Sequence, residues 1–596
     1  MMVVITQTIT QKANHPMTII PETTAQTESF LKNHPDFAAL LSNYTYDRLQ
    51  SRAPDQPLFQ LQGRLDFAPL EKACADYHNQ SGPGCKPIHP VPKLLRTLLV
   101  KYFYDYSLRE TEFHIRYNLL IKSFVGYAVF DEGPDHTTIS RFENYLILHH
   151  PRLFFDTILS QIDVAFPDDR SCPQIADTFA VHADAALESL AKRLRHSCQQ
   201  LLVAFQNDDP AAYDALWSQL DHEGIFGAAD EKMEYFLATS QRHQRLLTIL
   251  NAVSACLQTV RPLSLSDDVK QWVARLEKII SDELRLERDA TGQIIHAGLQ
   301  PKNKRGKYAI FSATDPEATI RNHGPDKKDP GYNASVSVTT DFIREIRVDT
   351  GSQPDHVAIP HLLTAQIEHH DVCPPKVIYD QAAGTGKSVA DVREATNGRT
   401  QLVAKPTPVN KKKKDAFGPT NFTLSDDLFS LTCPNSRTTF SRYRSGSGDG
   451  VNFRFPKGAC AGCLLLAACR GQKKWPHPPT PYAQPTTPRN VFISDYRMEK
   501  QALVAYSKTD EFKADMKLRP HVERIISILV GHNGARRARF RGVEKVDFQQ
   551  KMCGTVYNLK RWLSRLRNKR LNLPPKKRRR FAAPPPSRGG VGLVAA

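Results

Sequence analysis

The stretch QIADTFAVH, residues 174–182, decides the fold class of this chain. Its Ile, Thr, Phe and Val side chains are typical of a buried β-strand, yet Asp177 stands in its interior. Aspartate is depleted there because it packs poorly and competes with the strand for backbone hydrogen bonds. A lone strand aspartate is more often a cap or turn residue, so Asp177 becomes a candidate for chemistry only together with partners elsewhere in the chain.

Two further acidic residues complete a candidate set. Asp380 ends the apolar run VIYD, and Glu523 lies beside Val522 on a predicted amphipathic helix. Three carboxylates carried by two strands and one helix form a hard-oxygen site suited to Mg²⁺ or Mn²⁺. Two such ions can activate a water or sugar hydroxyl and stabilise the leaving oxygen of a phosphoryl displacement. We therefore predict that Asp177, Asp380 and Glu523 are catalytic and bind two divalent ions.

Strand-like and helix-like segments alternate around these acids, which predicts a mixed α/β sheet. The predicted strands are 174–182, 308–314, 332–340, 342–350, 377–381 and 401–406, and the predicted helices are 360–369, 389–395 and, over 495–531, a strongly helical run. Two insertions interrupt this pattern. Residues 186–298 are predicted to be helical, and residues 407–495, which are rich in Pro and Lys, are predicted to be mostly irregular.

The chain before the first strand is predicted to be helical. Leucines 94, 95, 98 and 99 recur at helical spacing, and Ser107 with Glu110 has the pattern of a capping box that begins another helix. A turn at 131–134 precedes a helix from about Thr137. Short helices with a tight turn before the last suit a helix-turn-helix DNA reader, and they suit a plain helical bundle equally well.

Positive charge is concentrated at the end of the chain. The net charge is +18, and the 62 residues from Ala535 carry 18 Lys and Arg against two acids. This is the electrostatic footprint of a polyanion partner, since each neutralised phosphate releases condensed counterions. A solvated basic tail is the alternative, but Tyr557, Trp562 and several Leu interleave the charges. Beyond Pro574 the sequence is low-complexity and we expect it to be disordered.

Four of the eleven cysteines lie in one segment: Cys433, Cys460, Cys463 and Cys469. The two-residue spacing between Cys460 and Cys463 is typical of a zinc knuckle, so the four thiolates are a candidate structural Zn²⁺ site. Independent free thiols are the alternative. The cysteines are too few and too unevenly spaced for a disulfide scaffold.

Several other classes of protein do not fit the sequence. The segment GTGKS (384–388) follows a strand, but a phosphate-binding P-loop needs glycine where Gln381 stands, so no ATP use is predicted. No apolar run approaches the roughly 20 residues of a membrane span. The polar stretch from Met1 to Thr24 lacks the features of a secretory signal, and we expect a cytoplasmic, nucleoid-associated protein.

The order of motifs resembles a known family. The stretches are KLLRTLLVKYFYDYSLRETEFHIRYNLL, DHTTISRFENYL, IADTFAVHADAA, FSATDPEA, GYNASVSVTTD, VIYDQA and LRPHVERIISILVGHNGARRARFRGVEKV with YNLKR. They span about residues 90 to 565 and resemble bacterial insertion-sequence DDE transposases with a ribonuclease H-like (retroviral integrase) fold. The resemblance implies that Asp177, Asp380 and Glu523 are the first, second and third catalytic acids. It also implies that helices in 92–150 bind transposon ends, and that a homodimer acts on double-stranded DNA, both element ends and target.

The last helix departs from the family pattern, which is Tyr, two residues, Arg, three residues, Glu, six residues, Lys. Arg519 and Glu523 fit, whereas Met516 and Val530 replace the Tyr and the Lys. The family Lys would contact DNA, a duty that a later basic residue could take. The predicted DNA-binding residues are Arg519, Arg536, Arg537, Arg539, Arg541, Lys545, Lys560 and Arg561.

The predicted domains are a lead-in (1–60), a helical DNA-binding domain (61–165), the first core strand (166–185), a helical insertion (186–300), the catalytic core (301–406), a cysteine-bearing insertion (407–495), the core C-terminal helices (496–570) and a basic tail (571–596). We predict a magnesium-dependent transposase that cuts element ends and joins the 3′-hydroxyl to target DNA. The alternatives are a transposase-derived protein that only binds DNA, and a nuclease that never joins strands.

Overall fold

The computed structural model describes residues 29–30, 33–78, 88–263, 266–301, 304–306, 309–322, 328–408, 416–470 and 488–570. The predicted tail, 571–596, and half of the predicted lead-in, 1–28 and 31–32, lie outside these ranges. The helices are α1 (Pro35–Arg52), α2 (Pro57–Gln62), α3 (Ala68–Ala73), α4 (Val91–Tyr104), α5 (Leu108–Tyr117), α6 (Leu119–Val125), α7 (His136–His149), α8 (Leu153–Ala165), α9 (Leu190–Asp208), α10 (Pro210–Trp217), α11 (His222–Phe226), α12 (Thr239–Val260), α13 (Asp267–Glu283), α14 (Ala358–His370), α15 (Gly386–Ala395), α16 (Leu466–Arg470), α17 (Arg497–Tyr506), α18 (Asp510–Met516), α19 (Pro520–His532) and α20 (Val543–Arg570). The strands are β1 (Gln174–His182), β2 (Leu284–Arg288), β3 (Ile294–Leu299), β4 (Thr319–Asn322), β5 (Lys328–Val338), β6 (Ile343–Thr350), β7 (Lys376–Ile378), β8 (Gln401–Val403), β9 (Thr423–Leu424), β10 (Leu431–Thr432), β11 (Thr438–Thr439), β12 (Arg442–Arg444), β13 (Gly450–Phe455) and β14 (Arg489–Ser494).

Strand β1 lies in the middle of the main sheet and has the bounds that the sequence predicts. On one side it pairs antiparallel with β5, which in turn pairs antiparallel with β6 and, at its beginning, with β4. On its other side β1 pairs parallel with β7, and β7 pairs parallel with β8. The predicted mixed α/β fold is confirmed, and the sheet is consistent with a ribonuclease H-like core.

The two faces of β1 are buried against different helices. Ile175, Phe179 and Val181 belong to a core that includes residues of α19 and α20. Ala176 belongs to a second core with residues of β7, α14 and α15. Because side chains alternate between the faces of a strand, Asp177 is on the same face as Ile175, towards α19.

Within residues 535–570, the basic segment packs against the rest of the chain; its predicted contact with DNA stays a prediction. Helix α20 supplies Phe548, Met552, Val556 and Leu559 to the core formed by the N-terminal helices, and Val546 and Tyr557 to the core of the sheet. The sequence shows the apolar residues of this helix, but the net positive charge of the segment favoured the prediction of an exposed surface that contacts DNA. Helix α20 therefore joins the N-terminal helices to the sheet.

The insertions differ partly from the predictions. Helices α9 to α13 share one core, as expected for a helical insertion, but the segment ends in the antiparallel hairpin of β2 and β3. The strand predicted at 308–314 is wrong: Ile310 makes a single bridge to Thr319, and residues 307–308 lie outside the described ranges. The insertion that was predicted to be mostly irregular contains two small three-stranded sheets, β9–β11 and β12–β14. Their strands are too short, at two to six residues, for a clear alternating pattern.

The N-terminal helices follow the sequence prediction closely. Ser107 and Glu110 form the predicted reciprocal capping box of α5. Helix α7 begins at His136, one residue before the predicted start, and Asp135 caps it. Across the described ranges, no helix combines the length and apolar character that a membrane crossing needs.

A buried ion pair joins α4 to α7. The Lys101 ammonium donates to both carboxylate oxygens of Glu143 at 2.6 and 2.7 Å, and the Tyr102 hydroxyl donates to the same group at 2.8 Å. Both charged side chains are only 3% exposed. Burial lowers the pKa of Lys101, and the charge of Glu143 opposes that shift. Each charge therefore depends on the other for its compensation.

We expect Glu143→Gln to lower the free energy of unfolding by about 3–5 kcal/mol, because it leaves Lys101 buried without a counter-charge. Equilibrium urea unfolding measures the change. The double variant Lys101→Met with Glu143→Leu should recover most of the loss, and Glu132→Gln, at an 82% exposed site, should have little effect. An unchanged unfolding midpoint in Glu143→Gln would contradict this account.

Candidate active site

Asp177 lies on β1, and Asp380 lies two residues after the end of the neighbouring parallel strand β7. Ile175 of β1 is paired with Ile378 of β7, and each aspartate comes two residues after its isoleucine. The same register therefore places Asp177 beside Asp380, on the face of the sheet that α19 covers. The two acids are 203 positions apart in the chain, so only the pairing of β1 with β7 brings them together.

Arg519 occupies the space next to Asp177. Its guanidinium donates to the Asp177 carboxylate at 2.9 Å and to the Ala176 carbonyl at 3.3 Å. Both side chains are less than one fifth exposed. Arg519 was predicted to bind DNA. In this structure its guanidinium instead contacts Asp177, the first predicted catalytic acid.

The pKa of Asp177 is raised above its ordinary value. Burial is the largest cause, and the neighbouring charge of Asp380 acts in the same direction. The Arg519 cation and the hydrogen bond from the Thr178 backbone N–H lower the pKa but do not cancel the effect of burial. The site therefore disfavours the ionised form of Asp177 unless more positive charge is added.

Glu523 is near this pair but is not assembled with it. It stands four residues after Arg519, one helical turn further along, so the two side chains are on the same side of the helix. Val522 is buried in the sheet core, whereas Glu523 is exposed. Within the described ranges, no group of three or more His, Cys, Asp or Glu side chains is arranged to hold a metal ion. The role of Glu523 stays a prediction.

The loop after Asp380 is held by close backbone packing. The Asp380 carboxylate accepts from the Ala382 backbone N–H at 2.8 Å. A side chain at Gly384 would collide with the Lys405 carbonyl, and one at Gly386 with the Tyr496 carbonyl. These contacts explain the two glycines of GTGKS without a phosphate ligand.

An ion-pair cluster fixes the helices beside β7, and sequence reasoning missed it. Lys376, at the start of β7, donates to Glu511 at 2.6 Å and to Asp515 at 2.9 Å on α18. The Tyr506 hydroxyl also donates to Asp515 at 2.6 Å. This cluster positions α18 and hence the beginning of α19 near the aspartates. Lys376 is more than 100 residues away from Tyr506, Glu511 and Asp515 in the sequence, so no local pattern predicts the cluster.

A second network supports β1 from its other face. The Arg321 guanidinium donates to the Thr178 hydroxyl at 2.7 Å and to the Asp355 carboxylate at 3.2 Å. Asn333 donates to Asp355 at 2.8 Å, and the buried Tyr379 hydroxyl donates to the Asp355 carbonyl at 3.1 Å. The residues next to Asp177 and Asp380 are thus tied to one polar centre.

Most of the predicted DNA-binding residues contact the chain's own groups. Beside Arg519, Arg536 donates to the Ala180 carbonyl and Lys560 to the Asn533 amide oxygen, and Arg539, Arg541 and Arg561 pair with Asp105, Asp184 and Asp341. Arg537 and Lys545 are exposed, and no ion pair of theirs is found among the described residues. These two side chains are the most available to a phosphate.

The donor set of the paired aspartates fits a divalent cation. Carboxylate oxygens are the preferred ligands of Mg²⁺ and Mn²⁺. Arg519 already places one positive charge against Asp177, so the position accommodates a cation. The raised pKa of Asp177 shows that this charge does not fully compensate the buried carboxylate.

Comparison with protein families identifies the class. Residues 46–145 match the family described as Transposase domain (DUF772), and residues 432–563 match the family described as Transposase DDE domain. These two matches support an insertion-sequence DDE transposase. The second match contains Glu523, whereas Asp177 and Asp380 lie outside both matched ranges. No curated protein and no solved structure matches the chain.

We expect Asp177→Asn to be more stable than the wild type near pH 7 in the absence of divalent ions. A folded-state pKa above the unfolded value means that stability is fully present at low pH and is lost as the pH rises through the folded value. The neutral amide escapes that loss, so its advantage should shrink as the pH falls below the ordinary carboxyl pKa.

Thermal unfolding in EDTA across this pH range measures the effect, with exposed Asp426→Asn as the control. A lower Tm for Asp177→Asn near pH 7 would mean that the lost contact with Arg519 outweighs relief of the buried charge.

Proposed function

We propose that this transposase cuts the ends of its element and joins the freed 3′-hydroxyl to target DNA, with Asp177, Asp380 and Glu523 holding two Mg²⁺ or Mn²⁺ ions. The single observation that carries the proposal is that the parallel pairing of β1 with β7 brings Asp177 close to Asp380, which follows β7. When bound, the ions supply the charge that activates a hydroxyl and stabilises the leaving oxygen of a phosphodiester.

Arg519 has a distinct part in this proposal. While no ion is bound, its guanidinium partly compensates the buried Asp177 carboxylate. A divalent ion would compete for the same oxygen and would displace Arg519 from Asp177. The guanidinium would then be available to a phosphate oxygen of the DNA, for which its fork of donors is well suited.

Glu523 would provide the third carboxylate. Its side chain is exposed one turn from Arg519. Its position on the same side of α19 as Arg519, which contacts Asp177, makes Glu523 the candidate third ligand.

The N-terminal helices are proposed to bind the element ends. They share a core with α20, and Arg539 ties the turn between α4 and α5 to the segment before α20 by pairing with Asp105. DNA held by these helices is thus fixed relative to the aspartates. Synapsis of two ends requires two copies of the chain, so we propose a homodimer in the active complex.

Asp177→Asn and Asp380→Asn should each reduce cleavage of a DNA bearing the element end by at least about 10³-fold, since each removes a ligand worth several kcal/mol of transition-state stabilisation. Binding to the same DNA, measured by gel shift in EDTA, should be unchanged. Asp391→Asn, on α15, is the matched control and should cleave at the wild-type rate. Cleavage that survives in both site variants would refute the assignment.

The same assay separates the alternatives. A labelled 3′-end that becomes covalently linked to target DNA supports strand joining, and one that is only released indicates a nuclease. Retention of DNA without any cleavage by the wild-type chain indicates a protein that only binds DNA.

Arg519→Met should tighten Mn²⁺ binding by about tenfold or more, because it removes a cation 2.9 Å from the carboxylate that the ion must reach. Calorimetric titration with Mn²⁺ measures the affinity, and Arg524→Met, an exposed arginine on the same helix, is the control. Weaker binding in Arg519→Met would show instead that Arg519 holds Asp177 in place for the ion.

A further inference from the structure

The cysteine-bearing segment brings its four thiols to one place. Cys433, Cys460, Cys463 and Cys469 all line the same cavity, whose volume is about 30 Å³. The cavity therefore has room for a small occupant such as water or an ion. Cys433 lies far before the other three cysteines in the sequence, and the fold brings it next to them.

Tight turns present these cysteines. Cys433 follows β10, and its backbone N–H donates to the Arg437 carbonyl at 2.8 Å while its own carbonyl accepts from Ser436 at 2.9 Å. Cys460 and Cys463 are joined by a turn in which Gly462 has a φ of +65°, a conformation that favours glycine. Cys469 is carried by the short helix α16. Three separate local structures thus converge on one cavity.

Two arginines lie close to the cysteines. Arg489 lines the same cavity, and Arg470 directly follows Cys469 in the chain. Four thiolates around a dication leave a net charge of −2, which two nearby guanidinium groups would offset.

The segment also has little core of its own. Its buried apolar residues are Phe422, Leu431, Phe453, Phe455, Val491 and Ile493, and Cys433, Cys460 and Cys469 pack against their edge. Small units with so little apolar surface commonly need a metal or disulfide to hold them together. A metal at the cysteines would join β10, the Cys460 turn and α16.

We propose that Cys433, Cys460, Cys463 and Cys469 form a structural Zn²⁺ site that stabilises this β-rich segment. Among the described residues, no three or more metal-binding side chains are placed to hold an ion. Zinc binding therefore requires the four cysteine side chains to rotate. A change of one cysteine rotamer moves its sulfur by about 3 Å. Zinc binding releases the thiol protons, and no catalytic role follows because four thiolates leave no open position.

The test measures metal content in the full-length chain, purified without chelator or metal-affinity resin. We expect about one zinc per chain by elemental mass spectrometry in the wild type, in Cys172→Ser and in Asp177→Asn. Cys460→Ser combined with Cys463→Ser should retain less than about one fifth of that zinc. Because Asp177→Asn keeps its zinc, failure of this proposal is separable from failure of the proposed active site.

A second measurement, made on the wild type, tests the proposal even if the double variant does not fold. Titration of the wild type with an organomercurial should release the zinc in proportion to the thiols modified, and trypsin should then cleave within residues 416–470 about tenfold faster. Wild-type chain with substoichiometric zinc and four freely reactive thiols, or with a disulfide between Cys460 and Cys463, would overturn the proposal.

Discussion

The parallel pairing of β1 with β7 is the constraint on which the site depends. One strand carries Asp177 and the other leads into Asp380, and their shared register puts the two carboxylates on one face of the sheet. The pairing persists because β1 is central, bonded to β5 on one edge and to β7 on the other, with both faces buried. A slip of one residue would turn Asp177 to the opposite face, away from Arg519 and α19.

Charge compensation explains much of the architecture around that pairing. Ion pairs join Arg519 to Asp177, Lys376 to Glu511 and Asp515, and Arg321 to Asp355. Each pair links a strand of the sheet to a segment far away in sequence. The pairs are partly buried, so loss of one partner would leave a costly charge behind. The Asp177 pair differs from the others because the raised pKa of its acid marks a compensation that is incomplete.

Helix α20 connects the two matched transposase regions physically. It contributes to the core of the N-terminal helices and to the core of the sheet, and Asn558 bonds both backbone groups of Ile343 at 2.8 and 2.9 Å. A segment that is basic on average thus serves as a buried connector. Composition could not reveal this, because the same charges occur on a solvated arm and on the exposed side of a core helix.

The sequence by itself determined the local elements and led to the prediction of the three acids. Strand β1, the capping box of α5 and the helices of 495–531 follow from periodicity and short-range hydrogen bonding, which act within a few residues. Tertiary structure alone decided which acids meet: it placed Asp177 with Asp380, left Glu523 exposed, and directed Arg519 and Arg539 to carboxylates of the same chain. It also gathered four cysteines from β10, a turn and α16 around one cavity. These outcomes depend on contacts between residues up to several hundred positions apart, and no local pattern encodes which of many possible partners packing will bring within reach.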